Sequence, residues 1–396
     1  MVANPRNLSL HGAGLKLNTR EDIAPHLAEY DPEVVEEIHL GGNTIGIEAA
    51  QALAEFLEKT KVLKVADFAD IFTGRLITEI PQALSAICDA LKDKTSLVEI
   101  NLSDNAFGGR SVDPMVPFLT TNRSFQILKL NNNGLGPAGG AVIADALLQS
   151  ALLSKKEGKP SNLRTVICGR NRLEDGSASA WAAAFRAHGG LTEIRMPQNG
   201  IRMDGIAELM RGISACTGLQ LLDLEDNTFG DIGSKAMAEV LAQWPALHTL
   251  NLSDCHLAKE GDISPIVETL ADGSNPNLAT LRLQNNNFDT QTYQLLSDGV
   301  ESGLGMLRLL ELQWNDIEED DEGLEILRRV LKGRGGKLVT DDDDEEEEEE
   351  EEEEDREPEQ ESRPPVPSES SEPKQVASKA EDDALAELMG KVSIKA

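Results

Sequence analysis

The sequence predicts an α/β solenoid in which short parallel strands alternate with helices. Short segments with apolar residues at every second position recur along residues 1–340, and a helical run follows most of them. The spacing between these segments is nearly constant. Since one strand–helix unit cannot bury its own apolar face, consecutive units must stack to complete a core.

The segment 128–148, LKLNNNGLGPAGGAVIADALL, shows the unit best. Leu128 and Leu130 alternate as in a strand, and the stretch after Gly136 has the three- and four-residue spacing of an amphipathic helix. Five of the nine intervals between equivalent units are 28 residues long. The positions equivalent to Leu128 are Ile38, Ala66, Ile100, Val166, Ile194, Leu222, Leu250, Leu281 and Leu310.

An Asn stands five residues after most of these positions, as is typical of leucine-rich repeats. The Asn residues are Asn43, Asn105, Asn133, Asn171, Asn199, Asn227, Asn286 and Asn315. Cys255 replaces it in one unit and Ile71 in another. We expect the Asn side chain to satisfy backbone groups of the turn that leaves each strand. The sequence therefore predicts a ribonuclease-inhibitor-like horseshoe of about 11 repeats, with parallel strands inside and a full helix per repeat outside.

Composition divides the chain into a solenoid and two C-terminal segments. Residues 1–340 hold the leucine-rich repeats, with 1–36 as an atypical N-terminal cap. Residues 341–355 are consecutive acids, which predicts a disordered tail because their charges repel one another. Residues 356–396 are also predicted to be disordered, with a short amphipathic helix at 380–393 as the alternative.

The charge argues against one class of function. Of the net charge of −33, residues 341–396 carry −18 and residues 1–340 carry −15. Phosphate contacts need Lys and Arg, so an acidic body argues against nucleic-acid binding and favours basic protein partners. No signal peptide and no apolar stretch close to membrane-spanning length is evident, so no membrane partner is expected. The dispersed cysteines Cys88, Cys168, Cys216 and Cys255 are expected to be reduced core thiols.

The sequence carries no motif for chemistry of its own. It lacks a phosphate-binding G-x-x-x-x-G-K-[ST] loop, the spacing of a metal site, and a Ser or Cys nucleophile beside a His. We therefore expect neither a metal nor a cofactor, and no self-contained catalysis.

The unit at Ala66 breaks the pattern, because 34 residues separate it from the next one. Its extra residues fall between strand and helix, where insertions often serve binding, and they contain Arg75. Two interpretations stay open. The loop either packs Phe68 and Phe72 inward and leaves Arg75 solvated, or it presents Arg75 to a partner.

A second candidate feature is a row of polar residues one position before the repeat Asn. Asn131 and Asn132 are not required by the repeat, whereas Asn133 is its structural Asn. Arg170 lies in register with Asp104 and Asn132, so one edge of the strand ladder is predicted to be an interface or a wet surface. A separate basic patch, Lys155, Lys156 and Lys159, is expected in a lengthened loop on the opposite edge.

Several of these segments together resemble the Ran GTPase-activating proteins. They are IHLGGNTIG at 38–46, FADIFTGR at 68–75, EIPQAL at 79–84, LSDNAFG at 102–108, NNGLGPAG at 132–139, ICGRNRL at 167–173 and the acidic tail. The resemblance covers residues 1–355 and corresponds to a short form of the family. It differs at Asn131, where the family motif has a histidine.

The resemblance implies binding of Ran in its GTP form, acceleration of GTP hydrolysis by Ran, and a role in nucleocytoplasmic transport. GTP and Mg²⁺ would be bound by Ran, and a Ran-binding protein would be a further partner. It implies a monomer located in the cytoplasm, with the nuclear periphery as an alternative, that is not itself an enzyme.

The resemblance also supplies roles for residues. It implies that Asn132 helps to position the catalytic glutamine of Ran, and that Arg75 supports the interface instead of entering the nucleotide site as a finger. These two are the predicted catalytic residues. The predicted partner-binding residues are Asp70, Thr73, Asp104, Asn131 and Arg170.

Two other functions remain as alternatives. One is a non-catalytic scaffold of the ribonuclease-inhibitor type, although such proteins alternate two repeat lengths and contain many more cysteines. The other is an acidic histone-chaperone-like leucine-rich repeat protein, which would share the acidic tail but has shorter and fewer repeats.

Overall fold

The structure is a computed structural model that describes residues 4–259, 262–316 and 320–340. The predicted tail at 341–355, the segment 356–396 and the alternative helix at 380–393 lie outside the described residues.

The strands are very short, mostly three residues, as expected for stacked repeats. They are β1 Asn7–Ser9, β2 Lys16–Leu17, β3 Glu37–His39, β4 Thr44–Ile45, β5 Val65–Asp67, β6 Glu99–Asn101, β7 Ile127–Lys129, β8 Thr165–Ile167, β9 Glu193–Arg195, β10 Leu221–Asp223, β11 Thr249–Asn251, β12 Thr280–Arg282, β13 Leu309–Glu311 and β14 Lys337–Val339. The N-terminal cap contributes the first two.

The helices follow the strands in chain order. They are α1 Arg20–Ala28, α2 Ile47–Lys59, α3 Ile80–Leu91, α4 Val116–Thr121, α5 Gly136–Lys156, α6 Glu174–His188, α7 Met203–Ile213, α8 Gly230–Ala238, α9 Pro265–Ala271, α10 Thr290–Ser302 and α11 Glu322–Gly333. Consecutive helices pack side by side, for example α5 on α6 and α6 on α7.

Twelve strands form one parallel sheet in sequence order, and β2 pairs with β4 in a second, two-stranded sheet. The central residue of each predicted strand pairs in register with that of the next, and all of them are buried. The predicted period and register are therefore confirmed. Leu8 of the cap and Leu338 of β14 extend the same row at its two ends.

Not every repeat forms the full helix that its length allows. After β6 the chain makes 3₁₀ turns at Gly109–Ser111 and Asp113–Met115, and only then the six-residue α4. Pro114 and Pro117 lack a backbone N–H and restrict the residue before them, which shortens the helix.

Helix α5 corrects two expectations. Residues 152–156 extend α5 to 21 residues instead of lengthening the loop, and Lys155 and Lys156 form its last turn, where cations complement the helix dipole. The helix is also long and apolar enough to cross a membrane, which the sequence analysis did not anticipate. Within the fold, however, it packs between α4 and α6 as a repeat helix does.

The repeat Asn residues form a hydrogen-bonded ladder inside the turns, interrupted at Ile71 and Cys255. Asn133 is fully buried, and its Nδ2 donates to Leu130 O in its own repeat and to Leu102 O in the preceding one, both at 3.0 Å. Its Oδ1 accepts from the backbone N–H of Asn105 at 2.9 Å. The same arrangement recurs at Asn171. The predicted role of the Asn is confirmed, and it joins two repeats as well as closing one turn.

The four cysteines are buried and free, as expected. Burial raises the pKa of each thiol, for example that of Cys168 to about 12 and that of Cys216 to about 11. Cys255 also replaces the Asn of the ladder, since its Sγ donates to Leu224 O in the preceding repeat at 3.3 Å.

Replacing Asn133 by Ala should destabilise the solenoid strongly. The substitution removes three buried hydrogen bonds. It leaves the backbone N–H of Asn105 without an acceptor, whereas Leu102 O and Leu130 O keep the amides of Asn105 and Asn171 as donors. We expect a loss in the free energy of unfolding on the order of 3 kcal/mol. Urea unfolding monitored by circular dichroism measures it. Asn132→Gly at the exposed neighbour is the control, because Gly tolerates the local backbone and the replacement removes no buried hydrogen bond. Equal losses for the two variants would show that the ladder does not stabilise the fold.

His188 holds the short loop that follows α5. Its Nε2 lies 2.9 Å from Leu147 O, and its Nδ1 is hydrogen-bonded to Ser161 Oγ. A carbonyl accepts only, so Nε2 carries the proton and Nδ1 accepts from the Ser161 hydroxyl. Burial lowers the pKa of His188 to about 4, because the charged imidazolium would be desolvated.

This pKa makes stability depend on pH in a defined direction. The unfolded chain binds a proton at His188 near pH 6.5 and the folded chain only near pH 4, so the contribution is complete above pH 6.5 and is lost as the pH falls toward 4. The total is roughly 2–4 kcal/mol. Comparing unfolding free energies at pH 7 and pH 4.5, His188→Gln should lose less stability than the wild type. The exposed His248→Gln should lose as much as the wild type.

Candidate functional site

One edge of the main sheet carries a row of residues in the left-handed backbone conformation. Each stands four positions after the central strand residue of its repeat and directly before the ladder Asn or its replacement. The row comprises Gly42, Asp70, Asp104, Asn132, Arg170, Gln198, Asp226, Asp254, Asn285 and Trp314, with φ between 47° and 76°. The backbone N–H groups bind the neighbouring repeat, as Asn132 N does at Gly169 O. We call this row the polar edge.

The backbone gives a structural reason for Asn and Asp on the polar edge. These residues and Gly tolerate a positive φ best, whereas other side chains are strained there. The prediction that the repeat does not require Asn132 is therefore wrong in part, since its φ of 52° favours Asn. Arg170, Gln198 and Trp314 have no such reason, and each costs about 1 kcal/mol of strain or more.

Asn132 and Asp104 form an exposed pair on the polar edge. Asn132 Nδ2 donates to Asp104 Oδ1 at 3.0 Å, which orients the amide and leaves its Oδ1 directed away from the carboxylate. Within the described residues no donor reaches that oxygen. The pair can therefore offer a partner one hydrogen-bond acceptor, Asn132 Oδ1, in a fixed orientation. Asn285 and Asp254 repeat the same geometry at 2.9 Å further along the edge.

Asn131 and Arg170 differ in the hydrogen bonds that their side chains make within the fold. Asn131 is half-buried, and its Oδ1 accepts from the backbone N–H of Gly169 at 2.6 Å, so part of its amide serves the fold. Arg170 is exposed, and its guanidinium makes no hydrogen bond or ion pair within the described chain. Both lie beside Asn132, as the sequence predicts, and their partner-binding roles stay predictions.

Arg75 is neither solvated nor free to extend outward. Its Nε donates to Thr44 Oγ1 at 2.8 Å, and its Nη2 donates to Thr44 O at 2.9 Å and Leu17 O at 3.3 Å. Phe68 and Phe72 are buried, as the first interpretation predicted. The same interpretation expected Arg75 to be solvated, and that part is wrong. The guanidinium ties the loop at 68–79 to the small sheet of β2 and β4.

Asp70 and Thr73 connect this loop to the polar edge. Asp70 is a member of the edge, and the Thr73 hydroxyl donates to its Oδ1. Parallel strands lie about 4.8 Å apart, so Asp70, Asp104, Asn132 and Arg170 on consecutive strands span roughly 15 Å. The structure thus brings the predicted residues of the edge together, with Arg75 behind them as an anchor.

The strands also present a charged face, which the sequence analysis missed. Arg195 is bonded to Glu193 at 2.6 Å, and Arg282 to Glu311 at 3.1 Å. Between them, burial raises the pKa of Asp223 to about 6, opposed by the backbone N–H of Glu225. The alternation along each strand could have predicted this face, because the residue after each central strand position points away from the helices.

The larger cavities lie away from the polar edge. One of about 430 Å³ is lined by Lys94, Arg123 and Lys159 among others, where three helices end. Lys94 Nζ caps Glu58 O and Thr60 O of α2, so its charge serves helix ends there. Across residues 4–259, 262–316 and 320–340 no cluster of His, Cys, Asp and Glu could hold a metal ion.

Comparison with known proteins gives a matching family model and several relatives that cover from about half to four fifths of the chain. The family model described as "Leucine Rich repeat" matches residues 121–144. The chain is 37% identical to Ran GTPase-activating protein 1 of Saccharomyces cerevisiae over 330 residues, or 81% of each chain. It is 46% identical to Ran GTPase-activating protein 1 of Xenopus laevis over 49% of this chain and 34% of the relative. The ribonuclease inhibitor of Sus scrofa is 25% identical over 64% of this chain and 53% of its own. The predicted leucine-rich repeat fold is confirmed.

Replacing Arg75 by Ala should release the loop without unfolding the solenoid. The substitution removes three hydrogen bonds that hold residues 68–79, and local opening should become easier by about 1–2 kcal/mol. Hydrogen–deuterium exchange should then be about tenfold faster in the loop and unchanged in β7 and α5. Arg110→Ala, at an exposed arginine, is the control. Unchanged exchange in the loop would show that Arg75 is not its anchor.

Proposed function

The chain belongs to the Ran GTPase-activating protein family, and we propose that it binds Ran in its GTP form and stimulates GTP hydrolysis in the active site of Ran. The names of the relatives support the activation of Ran, and we propose a role in nucleocytoplasmic transport as part of that function. The scaffold and histone-chaperone alternatives are not favoured, because the match to the Saccharomyces cerevisiae relative extends over most of both chains.

The observation that carries the mechanism is the oriented amide of Asn132. A GTPase hydrolyses GTP slowly when its glutamine and the attacking water are poorly held, so positioning alone accelerates the reaction. Asp104 Oδ1 accepts a hydrogen bond from the Asn132 amide and so fixes the orientation of the Asn132 side chain. The free Oδ1 would then accept from the amide N–H of the catalytic glutamine of Ran and hold it against the water.

Arg75 acts behind the interface in this mechanism. An arginine finger must extend into the partner's nucleotide site. The hydrogen bonds from Arg75 to Thr44 and Leu17 would have to break for that, and the group is half-buried. We assign Arg75 the role of fixing the loop, while Asp70, Thr73, Asn131 and Arg170 bind Ran around Asn132.

The other parts of the proposal follow from which of the two proteins holds the reacting groups. The chemistry takes place on GTP and Mg²⁺ held by Ran, so this chain acts as an activator, needs no cofactor of its own and is not itself the hydrolytic enzyme. The acidic chain suits a basic partner surface, and complementary charge raises the association rate in a salt-dependent way. We propose a cytoplasmic monomer, also present at the nuclear periphery, that acts with or without a Ran-binding protein.

Replacing Asn132 by Gly should lower the maximal rate of Ran GTP hydrolysis at saturating activator by about 100-fold. Gly keeps the positive φ without strain, so the variant removes only the amide. Single-turnover hydrolysis of GTP on purified Ran measures the effect. Asn285→Gly is the matched control, because that residue has the same backbone and the same bond to an Asp.

The comparison between these two variants decides the assignment. If Asn132→Gly activates Ran as well as the wild type, Asn132 does not position the reacting groups. If the wild-type chain leaves the intrinsic rate of Ran unchanged, the proposed function itself is wrong.

A further inference from the structure

We infer that Leu76 and Ile77, in the loop at 68–79, form an apolar anchor that docks on Ran beside the polar edge. The inference rests on the proposed function and adds an interaction surface to it. Nothing in the proposed mechanism uses these two residues.

The first observation is their exposure. Leu76 is 65% exposed and Ile77 57% exposed. Adjacent large apolar side chains at such exposure are costly to leave in water, since burying each would gain about 1.5–3 kcal/mol. Other exposed large apolar residues of the described chain are single in sequence, such as Ile232 on α8 at 50%. Isolated ones are normal on protein surfaces, whereas two adjacent ones offer a larger apolar area that a partner can cover.

The second observation is that the scaffold holds the pair in place. Twelve residues, 68–79, separate β5 from α3, whereas six separate β7 from α5. Arg75 fixes the loop directly before the pair, and the backbone N–H of Leu76 donates at 3.0 Å to Oε2 of Glu79, two residues after the pair. The buried Phe72 provides a third attachment. The side chains are thus displayed on a fastened loop, which lowers the entropy cost of binding.

The third observation identifies the occupant. The pair follows Thr73, which is bonded to Asp70 of the polar edge, so the apolar surface continues the proposed Ran contact. Along the chain the pair lies between polar residues, the half-buried Arg75 and the exposed Thr78, and anchors of protein interfaces are commonly ringed by polar groups. A stable interface needs about 800 Å² from each partner, far more than two side chains supply. The pair therefore fits as one part of a contact that the polar edge completes, and not as a self-association surface.

The test measures binding separately from activation. Ran loaded with a non-hydrolysable GTP analogue is titrated with the full chain by calorimetry, and GTP hydrolysis is measured in parallel. The double variant Leu76→Ala, Ile77→Ala should raise the dissociation constant about 10- to 100-fold and leave the maximal hydrolysis rate within about twofold. The control Ile232→Ala should bind like the wild type. Unchanged unfolding midpoints show that both variants fold.

The outcomes separate this inference from the proposed function. Wild-type binding by the double variant overturns the anchor even when the wild-type chain activates Ran fully. Binding that depends on the pair without any activation sustains the anchor and overturns the proposed function. If the wild type does not bind Ran, or if light scattering shows a dimer that the double variant abolishes, Ran is not the occupant and the inference is wrong.

Discussion

The shared Asn hydrogen bonds in the turns are the constraint on which the other features of the structure depend. Each ladder Asn bonds to carbonyl oxygens of two repeats and accepts from a backbone N–H of the repeat before it, as Asn133 does. A buried backbone group that lost such a partner would cost about 1–3 kcal/mol. The turns are therefore held in one conformation along the chain, and this aligns three-residue strands that could not form a stable sheet alone.

The fixed turn also determines the polar edge, which we propose faces Ran. Because every turn closes in the same way, the residue before the ladder position adopts a positive φ in each repeat. Asp, Asn and Gly occupy most of these positions at little cost, and their short side chains make an exposed polar row. Arg170, Gln198 and Trp314 are strained exceptions, and strain that a fold retains on an exposed edge is a reason to expect a role in binding.

The period of the sequence predicted most of the fold, because the same strand and turn recur along the chain. It failed in the repeats whose helices differ in length from the others. The spacing and alternation of the strands gave their register, and the Asn pattern gave the ladder. The short α4 and the long α5 depend on local Pro residues and on helix packing that a period does not encode. At the candidate site, register placed Asp104, Asn132 and Arg170 together. The period revealed neither the positive φ of Asn132 nor the anchoring of Arg75. Arg75 donates to Leu17 O, 58 residues earlier in the chain, and sequence spacing does not reveal such a contact.

The irregular loop lies at a gap in the ladder and carries part of the proposed contact with Ran. Ile71 stands where an Asn would bond two repeats. Its backbone N–H still donates to Asn105 Oδ1 at 2.8 Å, as the regular ladder positions do, but its side chain donates no hydrogen bond. Cys255 at the other gap still donates to a neighbouring carbonyl, so that turn stays joined to its neighbour by a side chain. At Ile71 no side-chain donor remains, and Arg75 replaces the missing connection by bonding back to Thr44 and Leu17. An arginine that fastens the loop in this way stabilises what the loop presents, and this anchoring is why we propose a positional and not a chemical contribution of Arg75 to activation.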